Sequence, residues 1–219
     1  VALNQPITRD FIFRALSPKE LPLALQVRKA VYVDELAYDA AGVLRDPLDD
    51  RAQHFLGTTR DGSPVAAMRI IRWDARPFEV ESFLDMTALL TSESRAGEIS
   101  RLCILEKYRN LTRTQFVHAG MWKLAYDYAL RSDLEEFLIW APPPLARVYE
   151  YLGFSRVPSM VFQHPLFANR PYQVLSVDLL GLEEDYRKRR HPLSNLLFGT
   201  PHAASSEMGS DGPATTRHG

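Results

Sequence analysis

Gly97-Glu-Ile-Ser-Arg-Leu-Cys-Ile-Leu105 is an apolar run interrupted by one acid and one base, and it reads as a strand from the middle of a sheet. Beyond it, Phe116, Trp122, Leu124 and Tyr128 recur with charges between them, predicting an amphipathic helix over 112–131. Further on, 135–144 reads as a strand stopped by three prolines and 145–154 as a helix with Gly153 as its end signal. Two more β-like runs follow at 157–165 and 172–180. Upstream, Phe11–Leu16 alternates as a strand, and Ser17-Pro18-Lys19-Glu20 has capping-box spacing with proline at the first helical position. The helix it opens runs to Leu36, with Leu21, Leu25, Arg28, Tyr32 and Glu35 on one face. A Gly-, Pro- and Asp-bearing loop over 37–52 then leads to a hairpin, 53–60 and 64–73, around Asp61-Gly62. The stretch 82–94 reads as a short helix and loop. This order predicts an α/β fold with a central mixed sheet flanked by helices, in a single domain over 1–198. Residues 199–219 have no apolar period and are expected to form a disordered tail.

Bulk properties narrow the function classes. The 219 residues are 46% hydrophobic and 24% charged, enough to bury a real core. A formal net charge of -1 gives no basic field for nucleic acid. The one cysteine, Cys103, excludes an internal disulfide framework and any C-x-x-C pattern. None of the six histidines has metal-ligand spacing, so no metal is expected. No leader-like segment or spanning apolar run is present, which predicts a cytoplasmic protein without membrane insertion. A monomer or weak dimer is expected.

Six charges fall on or beside apolar elements: Arg28, Arg69 and Arg101 against Asp46, Asp49 and Glu98. An isolated buried ion costs several kcal/mol, roughly, so these groups must pair. They either pin the first-helix loop to the sheet or line a site. Regular strand geometry puts Glu98 and Arg101 on opposite faces, and only a bulge brings both to one pocket.

Taken in order, Arg28, Tyr32, Tyr38, Asp46-Pro-Leu-Asp49, Arg69 and Glu98-Ile-Ser-Arg101 resemble a series found in the acetyltransferase-like (GNAT) superfamily. The similarity is to its branch of acyl-homoserine-lactone synthases and long-chain N-acyl amino acid synthases, and it covers roughly residues 11–180. The lactone synthases carry Trp where this chain has Tyr38, and an acid where it has Leu44. These departures turn the resemblance toward the N-acyl amino acid synthases.

The resemblance implies a sheet with a V-shaped split, a bulge whose backbone N–H meets the developing oxyanion, and an amine attacking an acyl thioester. It implies no permanently bound cofactor. The donor is an acyl-phosphopantetheine thioester on acyl carrier protein, with acyl-coenzyme A as the other source. The expected catalytic residues are Glu98 as base, Arg101, and Tyr149 at the departing thiolate. Arg28, Tyr32, Tyr38, Asp46, Asp49, Arg69, Leu102, Cys103 and Ile104 are the expected substrate-binding set. Coenzyme A users place glycines before the long helix, where this chain has Thr112 and Thr114, which weakens a diphosphate cradle. Lys107, Arg109, Arg113 and Lys123 are then a candidate docking patch for an acidic carrier protein, with Arg187–Arg190 as a second. Candidates for an acyl tunnel are Met68, Ile70, Leu102, Ile104, Phe116, Trp122, Leu138 and Trp140, each of which also reads as core. The rival readings are a lactone autoinducer synthase using S-adenosylmethionine, an acetyl-coenzyme A acetyltransferase, and a non-enzymatic module binding acyl groups or carrier protein.

Overall fold

The computed structural model describes residues 10–91, 93–109, 111–167 and 170–199, with the side chains of 111–116 outside that description. The expected tail therefore lies, from residue 200 on, outside the described residues. Seven strands form one sheet in the order β1-β2-β3-β4-β5-β7-β6. They are β1 Phe11–Ala15, β2 Gln53–Thr59, β3 Pro64–Arg72, β4 Ala96–Ile104, β5 Glu136–Ala141, β6 Ser155–Gln163 and β7 Pro171–Asp178. Every neighbouring pair is antiparallel except β4 and β5. That parallel pair is bonded only from Ala96↔Glu136 to Ile99↔Ile139, although both strands continue. Past Ile99 the sheet is therefore split.

A second irregularity sits at the same level. Between β3 and β4 the register runs from Arg69↔Ser100 to Ala67↔Cys103, three steps on β4 against two on β3. Arg101 holds the extra position with φ +53°, a left-handed conformation that a non-glycine residue adopts only when its surroundings hold it there. The bulge cancels the alternation, so Glu98 and Arg101 both face Glu79.

The helices are α1 Leu21–Arg28, the single turn α2 Ala40–Val43, α3 Leu111–Arg131, α4 Pro143–Tyr151, α5 Leu182–Lys188 and α6 Ser194–Phe198. On one face of the sheet, Val117, Met121, Trp122 and Ala125 of α3 pack with Phe13, Phe55, Ile70, Ile99 and Phe137, joined by Ala146 of α4 and Leu152 just past its end. On the other, Leu21, Ala24 and Val27 of α1 pack on Leu56, Ala67 and Cys103. The helix expected through Leu36 changes winding after Arg28 into a π-helical turn, Lys29–Glu35. The buried residues along it are Leu21, Ala24, Val27, Arg28 and Val31, while Leu25 is half-buried and Glu35 exposed.

Among the described residues of 82–94 the expected short helix does not form. Asp85 accepts from both the backbone and the hydroxyl of Thr87, and the Ser94 hydroxyl accepts from Thr91 N–H, so side chains hold these backbone groups in turns. Only a 3-10 turn, Val80–Ser82, precedes them. In the opposite sense, α5 and α6 arise where no helix was expected.

Gly120 lies where α3 crosses β1, and a Cβ there would stand 2.3 Å from the fully buried Phe13 ring. Gly120→Ala is expected to destabilise by about 1–3 kcal/mol despite alanine's better helix propensity, lowering Tm by several degrees in a thermal melt.

Candidate active site

Behind the split lies a buried ion network. Arg28 Nη1 donates to both Asp49 oxygens, at 2.9 and 3.0 Å, and to the Leu44 carbonyl at 3.0 Å. Arg69 donates to Asp46 at 2.7 Å, Asp49 at 2.9 Å, Glu79 at 2.8 Å and Ser100 Oγ at 2.8 Å. Arg101 Nη2 reaches Asp46 at 2.8 Å, Glu79 at 2.9 Å and the Gly42 carbonyl at 3.3 Å. Burial works to raise Asp46, Asp49 and Glu79, but the guanidiniums, with His164 at Glu79, outweigh it and hold all three below the ordinary carboxylate range.

Three guanidiniums thus face three carboxylates, and the third is Glu79, not the expected Glu98. Glu79 escaped the sequence reading because it sits in an irregular loop with no period to mark it. Glu98, at 0% exposure, makes no ion pair among the described residues. It accepts instead from Val80 N–H at 3.1 Å and from the Trp140 indole N–H at 3.3 Å. Burial first, and then the neighbouring Glu79, push its pKa up to about 7.

Two histidines complete the network in fixed tautomers. Leu166 N–H donates to His164 Nδ1 at 3.2 Å, so Nε2 carries the proton and donates to Glu79 at 3.2 Å. Arg28 Nη2 meets His54 Nδ1 at 3.4 Å, leaving His54 Nε2–H for the Asp49 carbonyl at 3.0 Å. Burial, followed by Arg28, lowers the His54 pKa and keeps that ring neutral.

The split itself is hollow. A cavity of about 730 Å³ runs between the π-helical turn, β4, α3 and α4, walled by Tyr32, Leu102, Cys103, Ile104, Tyr149 and Leu152 among others. A second, of about 140 Å³, adjoins it and is ringed by Tyr32, Tyr38, Trp140, Phe167 and Tyr172 with Arg101. Tyr32, Leu36, Tyr38, Leu102, Leu145 and Tyr149 line both. A void of about 10 Å³ lies beneath, against Met68 and Trp122.

The expected site residues divide accordingly. Tyr32, Tyr38, Arg101, Leu102, Cys103, Ile104 and Tyr149 line one or both of the larger cavities. Arg28, Asp46, Asp49 and Arg69 line neither and instead fasten the loop after α1 to β3 and β4. Tyr151, two positions beyond Tyr149, also reaches the large cavity at its exposed rim. Burial pushes the Cys103 thiol up to about 11, so it is an inert wall residue. Burial also raises Tyr149 above the ordinary phenol range. Of the tunnel candidates, Leu102 and Ile104 line the large cavity, Trp140 the small one, and Met68 and Trp122 the void; Ile70 and Leu138 are core. The Phe116 side chain lies outside the described residues.

The expected basic patches change most. Lys123 is only 8% exposed and its ammonium is held by Asp127, so it faces no partner protein. Three residues of the second patch, Arg187, Lys188 and Arg189, are paired one turn back with Glu183, Glu184 and Asp185. Arg113, Thr112 and Thr114 have side chains outside the described residues. Lys107 is exposed beside the Tyr108 ring, and Arg109, bound to Glu35 and to the Ile104 carbonyl, lines the large cavity. Arg147 on α4 also lines it, exposed, and was missed because a lone arginine between apolar helix residues carries no sequence signal.

A split parallel pair, a bulge beside it and a cavity along it define an acyltransferase of the acetyltransferase-like fold. Residues 24–178 match the family described as N-acyl amino acid synthase FeeM, and the chain belongs to that family. The structure of FeeM, an N-acyl amino acid synthase from uncultured soil microbes, is similar with a TM-score of 0.65 at 16% identity, covering 88% of this chain and 100% of that one. The AHL synthase LasI gives 0.57 at 14% identity, over 77% and 90%. A putative N-acetyltransferase from Lactobacillus plantarum gives 0.54 at 19% identity, over 76% and 98%. At these identities the likenesses concern the fold. Among curated proteins none matches the sequence. No helix among the described residues is long and apolar enough to cross a membrane.

Proposed function

We propose that this protein is an N-acyl amino acid synthase, which transfers a long-chain acyl group from acyl carrier protein to the amino group of an amino acid. The observation that carries this reading is the pair of adjoining cavities, one large and apolar and one small and aromatic, meeting at Leu102 and Tyr149. A volume of about 730 Å³ exceeds what an acetyl group uses and suits a fatty acyl chain with its pantetheine arm. Arg101 lines the small cavity with a buried guanidinium, against the Phe167 ring, whose Nε and Nη1 make no hydrogen bond among the described residues.

In the reaction the amine nitrogen forms a bond to the acyl carbon and the carbon–sulfur bond breaks; the ammonium nitrogen loses two protons, the first to a base and on to solvent, the second ending on the departing thiolate. Glu98 is the group poised to receive the first, because its raised pKa lies near that of its donor. It stands one side chain behind the small cavity, next to Trp140, so the transfer runs through a water at the indole edge. Tyr149, with its proton held tightly by burial, donates a hydrogen bond to the departing sulfur.

An acidic carrier protein would meet the large cavity at Arg147 and Arg109, which line it. Arg147→Glu is expected to raise the KM for acyl carrier protein on the order of tenfold, most at low salt, while Lys188→Glu leaves it unchanged. Equal effects of the two reversals would remove this docking site. The whole reading is tested by mass spectrometry of organic extracts from cells producing the protein: acylated amino acids support it, and lactones would favour the autoinducer reaction.

A further inference from the structure

Resting on that reading, we infer that Trp140 is the positioning residue for Glu98: its indole N–H holds the carboxylate ready to take a proton, and its ring joins that carboxylate to the small cavity. The placement begins with the sheet. Glu98 stands opposite Leu138 in the parallel pair, whose last bonded rung is Ile99↔Ile139. Side chains two apart on a strand share a face, so Trp140 projects beside Glu98 just past that rung, where β4 and β5 part. Its backbone does not drift with the split, because β5 stays paired with β7 at Trp140↔Val174. The indole lines the small cavity and meets Glu98 Oε1 with its N–H at 3.3 Å.

The ring is clamped in this position. His164 stacks on it at 5.0 Å and 21°, Tyr172 of β7 meets it edge-on at 5.3 Å, and Phe162 of β6 does so at 5.6 Å. His164 is itself anchored by Glu79 and by Leu166 N–H. A phenylalanine could make the same ring contacts, and what the indole adds is a donor. Glu98 is fully buried and accepts from two N–H groups among the described residues, the Val80 backbone and Trp140. The charged groups nearest it are Glu79, from the segment leading into the 3-10 turn, which opposes its ionisation, and Arg69 of β3, which favours it. Arg101 and His164 engage Glu79, and Arg101 also holds Asp46. Trp140 is thus the one side-chain donor to the base among the described residues, and a donor to a carboxylate stabilises its charged form.

The test follows kcat/KM against pH, with an acyl carrier protein donor and one amino acid acceptor, for the full-length wild type, Trp140→Phe and Glu98→Gln, with Trp73→Phe as control. Trp73 is exposed and lines neither cavity. The acceptor amine titrates alike in every reaction and cancels from the comparison. Trp140→Phe is expected to move the acid limb upward by on the order of one pH unit, so that kcat/KM falls about fivefold at neutral pH and recovers as the pH rises. Trp73→Phe should leave the limb in place. A limb unmoved in Trp140→Phe, or a loss equal at every pH, shows a ring that only packs and overturns the positioning role. Should Trp140→Phe not fold, the wild type carries the same test through its tryptophan emission. Ionisation of the carboxylate against the indole N–H should make that emission titrate with the midpoint of the acid limb, and Glu98→Gln should abolish the titration. Emission flat across the limb, or titrating alike in Glu98→Gln, overturns the proposal. An acid limb retained by Glu98→Gln removes the base itself, an outcome that this variant's own profile separates from failure of the Trp140 role.

Discussion

Glu98→Gln is expected to lower kcat/KM by about 10²–10⁴-fold, the usual worth of a positioned base, without loss of the folded state. Gln matches the shape of the acid and keeps an acceptor for one of its two donors, Val80 N–H or Trp140 Nε1–H, but takes no proton. The same substitution has a pH signature. Glu98 must be ionised to act, so wild-type activity should rise with pH through about 7 and be silenced below it. The residual activity of the variant should lack that limb. Stability moves in the opposite sense. The folded pKa is raised above the ordinary 4.5, so the folded state binds the proton more tightly, and this contribution is full below 4.5 and lost as pH rises through about 7. Denaturant unfolding of the variant should accordingly show a flatter pH dependence across that window. A variant with wild-type turnover and an unchanged pH profile would remove Glu98 as the base.

Arg69→Met is expected to have the largest effect on stability. Arg69 is fully buried and bonded to Asp46, Asp49, Glu79 and Ser100 together, so the substitution leaves three carboxylates short of a partner in a dry interior. Breaking a buried pair costs about 3–5 kcal/mol, which in a chain of this size lowers Tm by roughly 6–20 °C. The deficit should shrink in acid. In the wild type these carboxylates are held below their ordinary values, so the stability they contribute is present above that range and is lost as pH falls through the depressed pKa values. Unfolding at pH 7.5 and pH 4 measures the difference, and equal deficits at both would show that lost packing, not lost charge, is responsible.

What could be read from the sequence follows how local the information is. The Asp61-Gly62 hairpin, the Ser17-Pro-Lys-Glu20 helix start and the buried strand at Glu98–Arg101 each carry their own pattern, and each is observed. The bulge was legible only as what the resemblance implied; it turns both residues toward Glu79, with Arg101 on the small cavity and Glu98 behind it. The aromatic cavity was not, because its rings come from three separated stretches, 32–38, 140–149 and 167–172, and Phe167 and Tyr172 carry no period that marks them. Lys123 shows the opposite error: a lysine in an amphipathic helix reads as surface, but its stem is buried in α3 beside Trp122 and its charge is met by Asp127. The partners of Arg101 were half legible. Asp46 belongs to a recognisable D-x-x-D pair, whereas Glu79 is placed by a loop closing over the sheet.

The most direct measurement of the central claim is a single incubation of purified protein with acyl carrier protein bearing a long acyl chain and a mixture of amino acids. Released carrier thiol and acylated product are quantified together, the thiol by reagent and the product by mass. Aminolysis in adjoining cavities predicts one thiol per acyl-amino acid, with release dependent on the amino acid. Thiol released with free fatty acid alone, at the same rate with and without amino acids, would contradict it.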